Sequence, residues 1–400
     1  MISMAEPLVL DFTDKETAYK YKSTGELKRA AWMFKFLNTP ILGPIGKTGL
    51  KLAVKFGLPV KGAVKATLYK QFVGGETLKD CLPIVEKMDA LHVESILDYS
   101  VEGAHDEAHI QMSYNELLYN IKFAGEHKSI PFSVFKTTGF ASTDLLEKVS
   151  AGLALANDEI AAWEKVKERF YGLCRAAYDQ RVKLMIDAEE TWTQKAIDGL
   201  AMDMMQKYNQ KEVYIINTFQ LYRKDRLDYF KECHAFAKKN GFKIGAKLVR
   251  GAYMEKERER ALQKGYPSPI QDTKDDTDKD YNKAMLFGID NLEDILTFIG
   301  SHNEGSCRMA AEKIHDLGIP ENHPHVWFSQ LYGMCDHISF NLAKAGYNVA
   351  KYVPYGPVNS VTPYLIRRAD ENSSVAGQAK IEIGMIEEEI KRRQVVSRKL

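Results

Sequence analysis

From residue 93 onward, short apolar or β-branched runs recur along the chain, each followed by a longer stretch in which apolar residues return every three or four positions. The short runs read as strands and the longer stretches as amphipathic helices. The runs cover residues 93–101, 130–137, 182–187, 213–219, 244–249, 295–300, 325–329 and 348–353, and residues 225–240 and 306–317 are typical of the helical stretches between them. Strands that alternate with helices pair in parallel through right-handed crossovers, because parallel neighbours need a crossover connection. Eight of them predict an α/β fold, with a closed (β/α)8 barrel as the economical arrangement and an open doubly wound sheet as its competitor. Residues 1–90 lack this rhythm and are expected to form an N-terminal helical arm; residues 91–375 then form the barrel, and residues 376–400 a charged C-terminal helical tail.

In such a barrel, chemistry sits at the C-terminal ends of the strands. Those ends carry Asp98 and Glu102, Lys136, Asp187, Gln220, Lys247 and Arg250, His302 with Asn303, Gln330, and Tyr352. A strand end is generically polar, but a whole ring of ionisable groups points to a site. Arg367 and Arg368 follow the last strand within a helical stretch, where two guanidinium forks suit one carboxylate.

Composition narrows the classes. The chain has 400 residues, 45% of them hydrophobic and 27% charged, which excludes global disorder and a disulfide scaffold. Its formal net charge of +1 offers no basic stripe for nucleic acid. The cysteines, Cys81, Cys174, Cys233, Cys307 and Cys335, are scattered and form no C-x-x-C pair, so free thiols in a reducing compartment are expected. Neither a secretory signal nor a transit peptide is recognisable at the start, so a cytoplasmic location, or a peripheral one on an inner membrane, is expected. Residues 39–72 interleave lysines with apolar residues, as a stretch lying on an anionic membrane or one packed on the barrel with its lysines in water would.

Two familiar motifs fail. Gly46-Lys47-Thr48 lacks the glycine that a phosphate-binding loop needs at position 41, which is Ile, and no G-x-G-x-x-G follows a strand. His323 and His325 have no third ligand at a sensible spacing, so no metal is expected and the pair reads as a solvated loop.

Several blocks together, ATLYKQFVGGET, LMIDAEETW, NTFQLYRKDRL, AKLVRGAYMEKERERA, GSHNEGS, QLYGMCDHI and YGPV followed by PYLIRRADENSS, closely resemble the proline dehydrogenase family, most strongly its monofunctional, eukaryotic-like branch. The resemblance runs from about residue 68 to about residue 375. It implies a distorted (β/α)8 barrel that binds FAD and oxidises L-proline to Δ1-pyrroline-5-carboxylate, with hydride passing from substrate C5 to flavin N5 and electrons then to a membrane quinone.

Residue by residue, the resemblance makes Lys136, Arg367 and Arg368 the clamp on the substrate carboxylate, with Tyr253, Leu331 and Tyr352 against the ring. Asp187 matches the active-site aspartate, and Lys247 stands near the flavin where bacterial bifunctional relatives have an arginine. The cofactor set is Ala188, Gln220, Lys247, Arg250, Gly251, Ala252, His302, Asn303 and Glu371, with Lys274 a candidate for the adenine end. Met254 departs from the tryptophan of the bifunctional relatives. Relatives that oxidise hydroxyproline carry serine where this chain has Tyr352, and a tyrosine fills the space a hydroxyl would need, which favours proline. Two other classes stay open from the residues alone. One is a flavin-free barrel in which Lys136 or Lys247 forms a Schiff base, and the other is a membrane-associated scaffold without chemistry.

Overall fold

Strands form at all eight predicted places: β1 (Val93–Tyr99), β2 (Phe132–Lys136), β3 (Lys183–Asp187), β4 (Ile215–Gln220), β5 (Ile244–Val249), β6 (Ile295–Gly300), β7 (Val326–Leu331) and β8 (Val349–Tyr355). They close in sequence order into a parallel (β/α)8 barrel. This computed structural model describes residues 8–37, 62, 65–101, 106–374 and 376–397. Glu102 and most of the 39–72 stretch lie outside the described residues; Lys70–Phe72, at its end, is a short helix with Phe72 buried. Three strands run past their predicted ends, β4 to Gln220, β7 to Leu331 and β8 to Tyr355, because ladder hydrogen bonds extend pairing beyond the apolar core of a run.

The chain divides into two compact units. In the larger, Gly103–Ser329, strand parity decides which side chains meet. On β2, Phe132 packs edge-on against Phe298 of β6 and Trp327 of β7, while Phe135 turns the other way onto Phe170 of the helix Asn157–Gln180. Successive strand residues alternate between faces, so Val134 and Lys136 share the face of Phe132. The Lys183 ammonium lies over the Phe132 ring, which places Lys183, Met185 and Asp187 on that same face of β3. On β4, Asn217 and Phe219 point outward to Asp198 and Phe230, leaving Thr218 and Gln220 on the inner face. Helices cover the outer face, which explains why all six residues of β4 are buried.

His325 departs from the expected solvated loop. It is buried, its Nδ1–H donates to the Leu292 carbonyl at 2.6 Å, and burial lowers its pKa.

The smaller unit joins Met1–Glu102 to Gln330–Leu400. Here β1 and β8 pair from Val93 against Val349 to Tyr99 against Tyr355. The helix Leu78–Asp89 starts on a capping box between Thr77 and Asp80 and packs beside β1. Beneath the helices Lys15–Tyr19 and Ala376–Ser397 lies a buried charged cluster. Asp336 receives Lys22 at 2.7 Å, Lys351 at 2.8 Å and the Tyr21 hydroxyl at 2.9 Å. Burial alone would raise Asp336, yet the two lysines hold it well below the usual carboxylate range. Glu382 accepts the Cys335 N–H at 3.1 Å, and burial, reinforced by the charge of Asp336, pushes it up to about 7.

Raising Glu382 in this way makes stability depend on pH. Between the ordinary glutamate value and about 7, folded Glu382 keeps a proton that the unfolded chain has lost, so its contribution to stability is fully present below the ordinary value and is lost as pH rises. Glu382→Gln keeps an acceptor for Cys335 and removes the titration. The variant should therefore gain stability over the parent between about pH 5 and about pH 8, by on the order of 1.4 kcal/mol for each tenfold fall in proton concentration across the interval where only the folded chain holds the proton. Denaturant midpoints at the two pH values measure this; an equal difference at both would refute it.

Candidate functional site

The inner face of the larger unit brings Asp187 and Lys247 together. Lys136 of β2 stands in register with Asp187 of β3, and Thr218 of β4 with Lys247 of β5. Between Asp187 and Lys247, Thr218 is short and turns its hydroxyl to the Ile186 carbonyl at 2.8 Å. The lysine reaches past it, placing Nζ 2.5 Å from Asp187 Oδ1, with the two side chains 9% and 13% exposed. A pair this shielded from water interacts more strongly than a surface pair.

Just beyond β3 and β4, buried polar groups interlock. The Gln220 amide nitrogen donates to the Glu189 carbonyl at 3.1 Å, while its Oε1 is buried and has no hydrogen-bonding partner among the described residues. The Glu189 carboxylate accepts the Thr138 N–H at 2.9 Å and the Thr138 hydroxyl, and burial raises it to about 7 despite both bonds. Ala188, between Asp187 and Glu189, is buried.

After β5 the chain turns sharply. Gly251 has φ of 131°, and a Cβ there would lie 2.5 Å from the Tyr222 ring, so glycine is needed both for the conformation and for the close approach. The turn delivers Arg250, which donates to Asp278 at 2.5 Å, Ser301 at 2.8 Å and Ser306 at 3.0 Å while its guanidinium lies over the Tyr281 ring. Asp278 also holds Lys274 at 2.6 Å; burial opposes its charge, but the two cations lower its pKa. Ala252 is exposed, and Tyr253, half-buried, immediately precedes the helix Met254–Lys264. His302 is half-buried after β6, and Asn303 caps the helix Glu304–Asp316 by accepting the Ser306 N–H at 2.9 Å.

Sequence reasoning missed Glu189, Thr138, Asp278, Ser301 and Ser306. Only Ser306 had a local signal, the three-residue offset from its cap Asn303. Asp278 meets Arg250 across 28 residues and Thr138 meets Glu189 across 51, distances at which spacing carries no information.

In the smaller unit, Leu331 ends β7 and Tyr352 lies within β8, 8% exposed. The Tyr332 N–H donates to the Tyr352 carbonyl at 2.8 Å, and Lys351, on the opposite face of β8, donates to the Leu331 carbonyl at 3.3 Å. Arg367 and Arg368 are half-buried in the helix Thr362–Ser374, the Arg368 guanidinium 5.3 Å from the centre of the Tyr364 ring. Glu371 belongs to the same helix, but its side chain lies outside the described residues. Among the described residues no group of three or more His, Cys, Asp or Glu is placed to hold a metal.

Comparison with known proteins identifies the family. The family model described as proline dehydrogenase matches residues 81–380. Proline dehydrogenase 1, mitochondrial, of Dictyostelium discoideum is 31% identical over 427 residues, covering 95% of this chain and 74% of its own length. Hydroxyproline dehydrogenase of Xenopus laevis is 31% identical over 425 residues, covering 96% and 90%. Among solved structures, proline utilization A from Bdellovibrio bacteriovorus superposes with a TM-score of 0.69 over 91% of this chain at 19% identity, a likeness of fold. This chain spans only 38% of that longer protein. A family match across three quarters of the sequence and relatives aligned along nearly all of it make the chain a member of the proline dehydrogenase family of oxidoreductases.

Proposed function

We propose that the chain oxidises L-proline to Δ1-pyrroline-5-carboxylate with FAD as acceptor, the first step of proline catabolism, and hands the electrons to a quinone. The observation that carries this reading is the shielded Asp187–Lys247 pair on the face that also bears the unpartnered Gln220 acceptor. The residues present fit a flavin dinucleotide. Gln220 Oε1 is a buried acceptor suited to a ring N–H, and Arg250 uses three of its five donors on protein groups, which leaves two for a phosphate. Bound FAD would supply the two-electron acceptor, its N5 taking the hydride from substrate C5.

The chain's own residues bind and orient. Lys136, Arg367 and Arg368 grip the substrate carboxylate, and Tyr253, Leu331 and Tyr352 hold the ring, so that the reacting carbon is fixed before chemistry begins. Asp187 holds the Lys247 ammonium in a water-poor place, where a fixed positive charge favours a ring that gains electrons. Ala188, Gly251, Ala252, His302, Asn303 and Glu371 complete the cofactor contacts that the family resemblance assigns. The Lys247 amine is engaged by Asp187 at 2.5 Å rather than presented to a carbonyl, which favours the flavin reading over a lyase barrel built on that lysine. Tyr352, nearly buried, favours proline over the hydroxyproline that the Xenopus relative's name indicates.

The electron acceptor implies work at a membrane surface. A peripheral contact is proposed, through the lysine-rich apolar stretch 39–72. In the mitochondrial relatives' setting this would be the inner membrane.

An anaerobic visible spectrum tests the whole reading. The flavin band near 450 nm, an approximate position for any oxidised flavin, should bleach faster with L-proline than with trans-4-hydroxy-L-proline and return when a quinone in anionic vesicles is added. Faster bleaching by hydroxyproline would reverse the substrate; a protein colourless after reconstitution with FAD and trapped by borohydride with a carbonyl compound would support the lyase barrel instead.

A further inference from the structure

We propose that Glu189 is a positioning residue for the substrate-binding Lys136, acting through the turn that follows β2; the inference rests on the function proposed above. Lys136 is the last residue of β2, and the chain leaves it through a single tight turn, Thr137–Gly139. A lysine at a strand end is only as well placed as the backbone on either side of it. On the strand side the ladder to β3 supplies that support. On the turn side Glu189 supplies it, because its two carboxylate oxygens take both donors of Thr138, the backbone N–H at 2.9 Å and the hydroxyl. Two bonds from one carboxylate to one residue fix orientation as well as distance.

Glu189 is itself held from behind. Its N–H donates to Gln194 at 2.8 Å, Gln194 donates to Asp198 at 2.9 Å, and Asp198 receives Arg226 at 2.7 Å and Asn217 at 2.9 Å, all of them buried. Its carbonyl accepts from Gln220, the proposed flavin contact. One residue therefore ties the proposed carboxylate-binding lysine, the strand of Asp187 and the flavin-facing glutamine into a single rigid frame. The adjacent Glu190 has a different fate, pairing with the more exposed Lys256.

A buried carboxylate is costly, and two hydrogen bonds to Thr138 could be made by a neutral amide. What the amide would lack is the negative charge, and that charge acts on Lys136: its positive charge is among those that lower Glu189 against the effect of burial. Glu189 thus provides a clamp on the turn and, when ionised, a negative charge close to the lysine. Lys136 is proposed to grip a part of the substrate that does not react, so losing its alignment weakens ground state and transition state alike.

Three variants test this in the flavin-loaded enzyme. Glu189→Ala loses clamp and charge, Glu189→Gln keeps an acceptor for the Thr138 N–H and loses the charge, and Thr138→Val removes one arm of the clamp. KM for L-proline should rise about tenfold in Glu189→Ala while kcat falls less than about threefold, with Glu189→Gln and Thr138→Val moving the same way by smaller factors. The effects of Glu189→Ala and Thr138→Val should not add, because they break one unit. An unchanged KM, or a fall in kcat matched by loss of bound flavin, would show that Glu189 merely supports the fold and overturn the proposal. Should Glu189→Ala fail to fold, Thr138→Val still decides by the same split. If the unmutated protein shows no proline-dependent bleaching, the functional reading has failed and this inference falls with it, an outcome told apart by the parent enzyme alone.

Discussion

Lys247→Met is expected to destabilise the protein by about 3–5 kcal/mol, the cost of removing one partner from a shielded ion pair. Asp187 is 13% exposed and takes the Lys247 ammonium at 2.5 Å, so methionine removes a short, shielded cation contact from the carboxylate. The double variant Lys247→Met/Asp187→Asn should recover most of that loss, since removing both charges removes the penalty along with the attraction. Activity should not recover in either, because both residues belong to the proposed site. Urea midpoints for the two single variants and the double variant measure the coupling. If the double variant is as unstable as the sum of the singles, the pair contributes nothing and the shielding argument fails.

The second large effect is expected at Gly251. Gly251→Ala forces a Cβ to within 2.5 Å of the Tyr222 ring at a φ of 131°, and a ring buried on that side has little room to yield. Backbone strain of this kind costs about 1–3 kcal/mol before any overpacking is added. The turn has another way out: it can shift. Because it carries Arg250 and Tyr253, a shift should show as loss of bound flavin, read as the ratio of flavin to protein absorbance after purification. Gly265→Ala is the matched control, with a positive φ of 72° but open space around its Cβ. It should cost some stability and retain flavin. Equal flavin loss in both variants would mean that Gly251 has no particular relation to the site.

Much of the barrel was legible from residue pattern. β5 and β6 occupy 244–249 and 295–300 as expected, because each is an apolar run bounded by polar turns and followed by a helix, a signal confined to a dozen or so neighbouring residues. Strand parity propagates locally, but only the contact of Phe132 with Phe298 shows that Phe132, and with it Lys136, faces inward. The proposed site residues at the strand ends were found by the same logic, since a barrel makes strand ends chemically special. β4, β7 and β8 ran longer than expected because their last residues are held by neighbouring backbone, which hydrophobicity does not report.

The order of strands and helices, the place of Lys136, Asp187, Gln220 and Lys247 at strand ends, and the family are legible in the sequence, since they rest on local pattern or on contiguous motifs. Tertiary structure alone decided that Asp187 pairs with Lys247 across 60 residues, that Arg250 is oriented by Asp278, and that Glu189 closes on Thr138. Pairings of this kind depend on strand register and on which side chains fill the space between, as Thr218 does beneath Lys247, and a chain read one neighbourhood at a time carries neither.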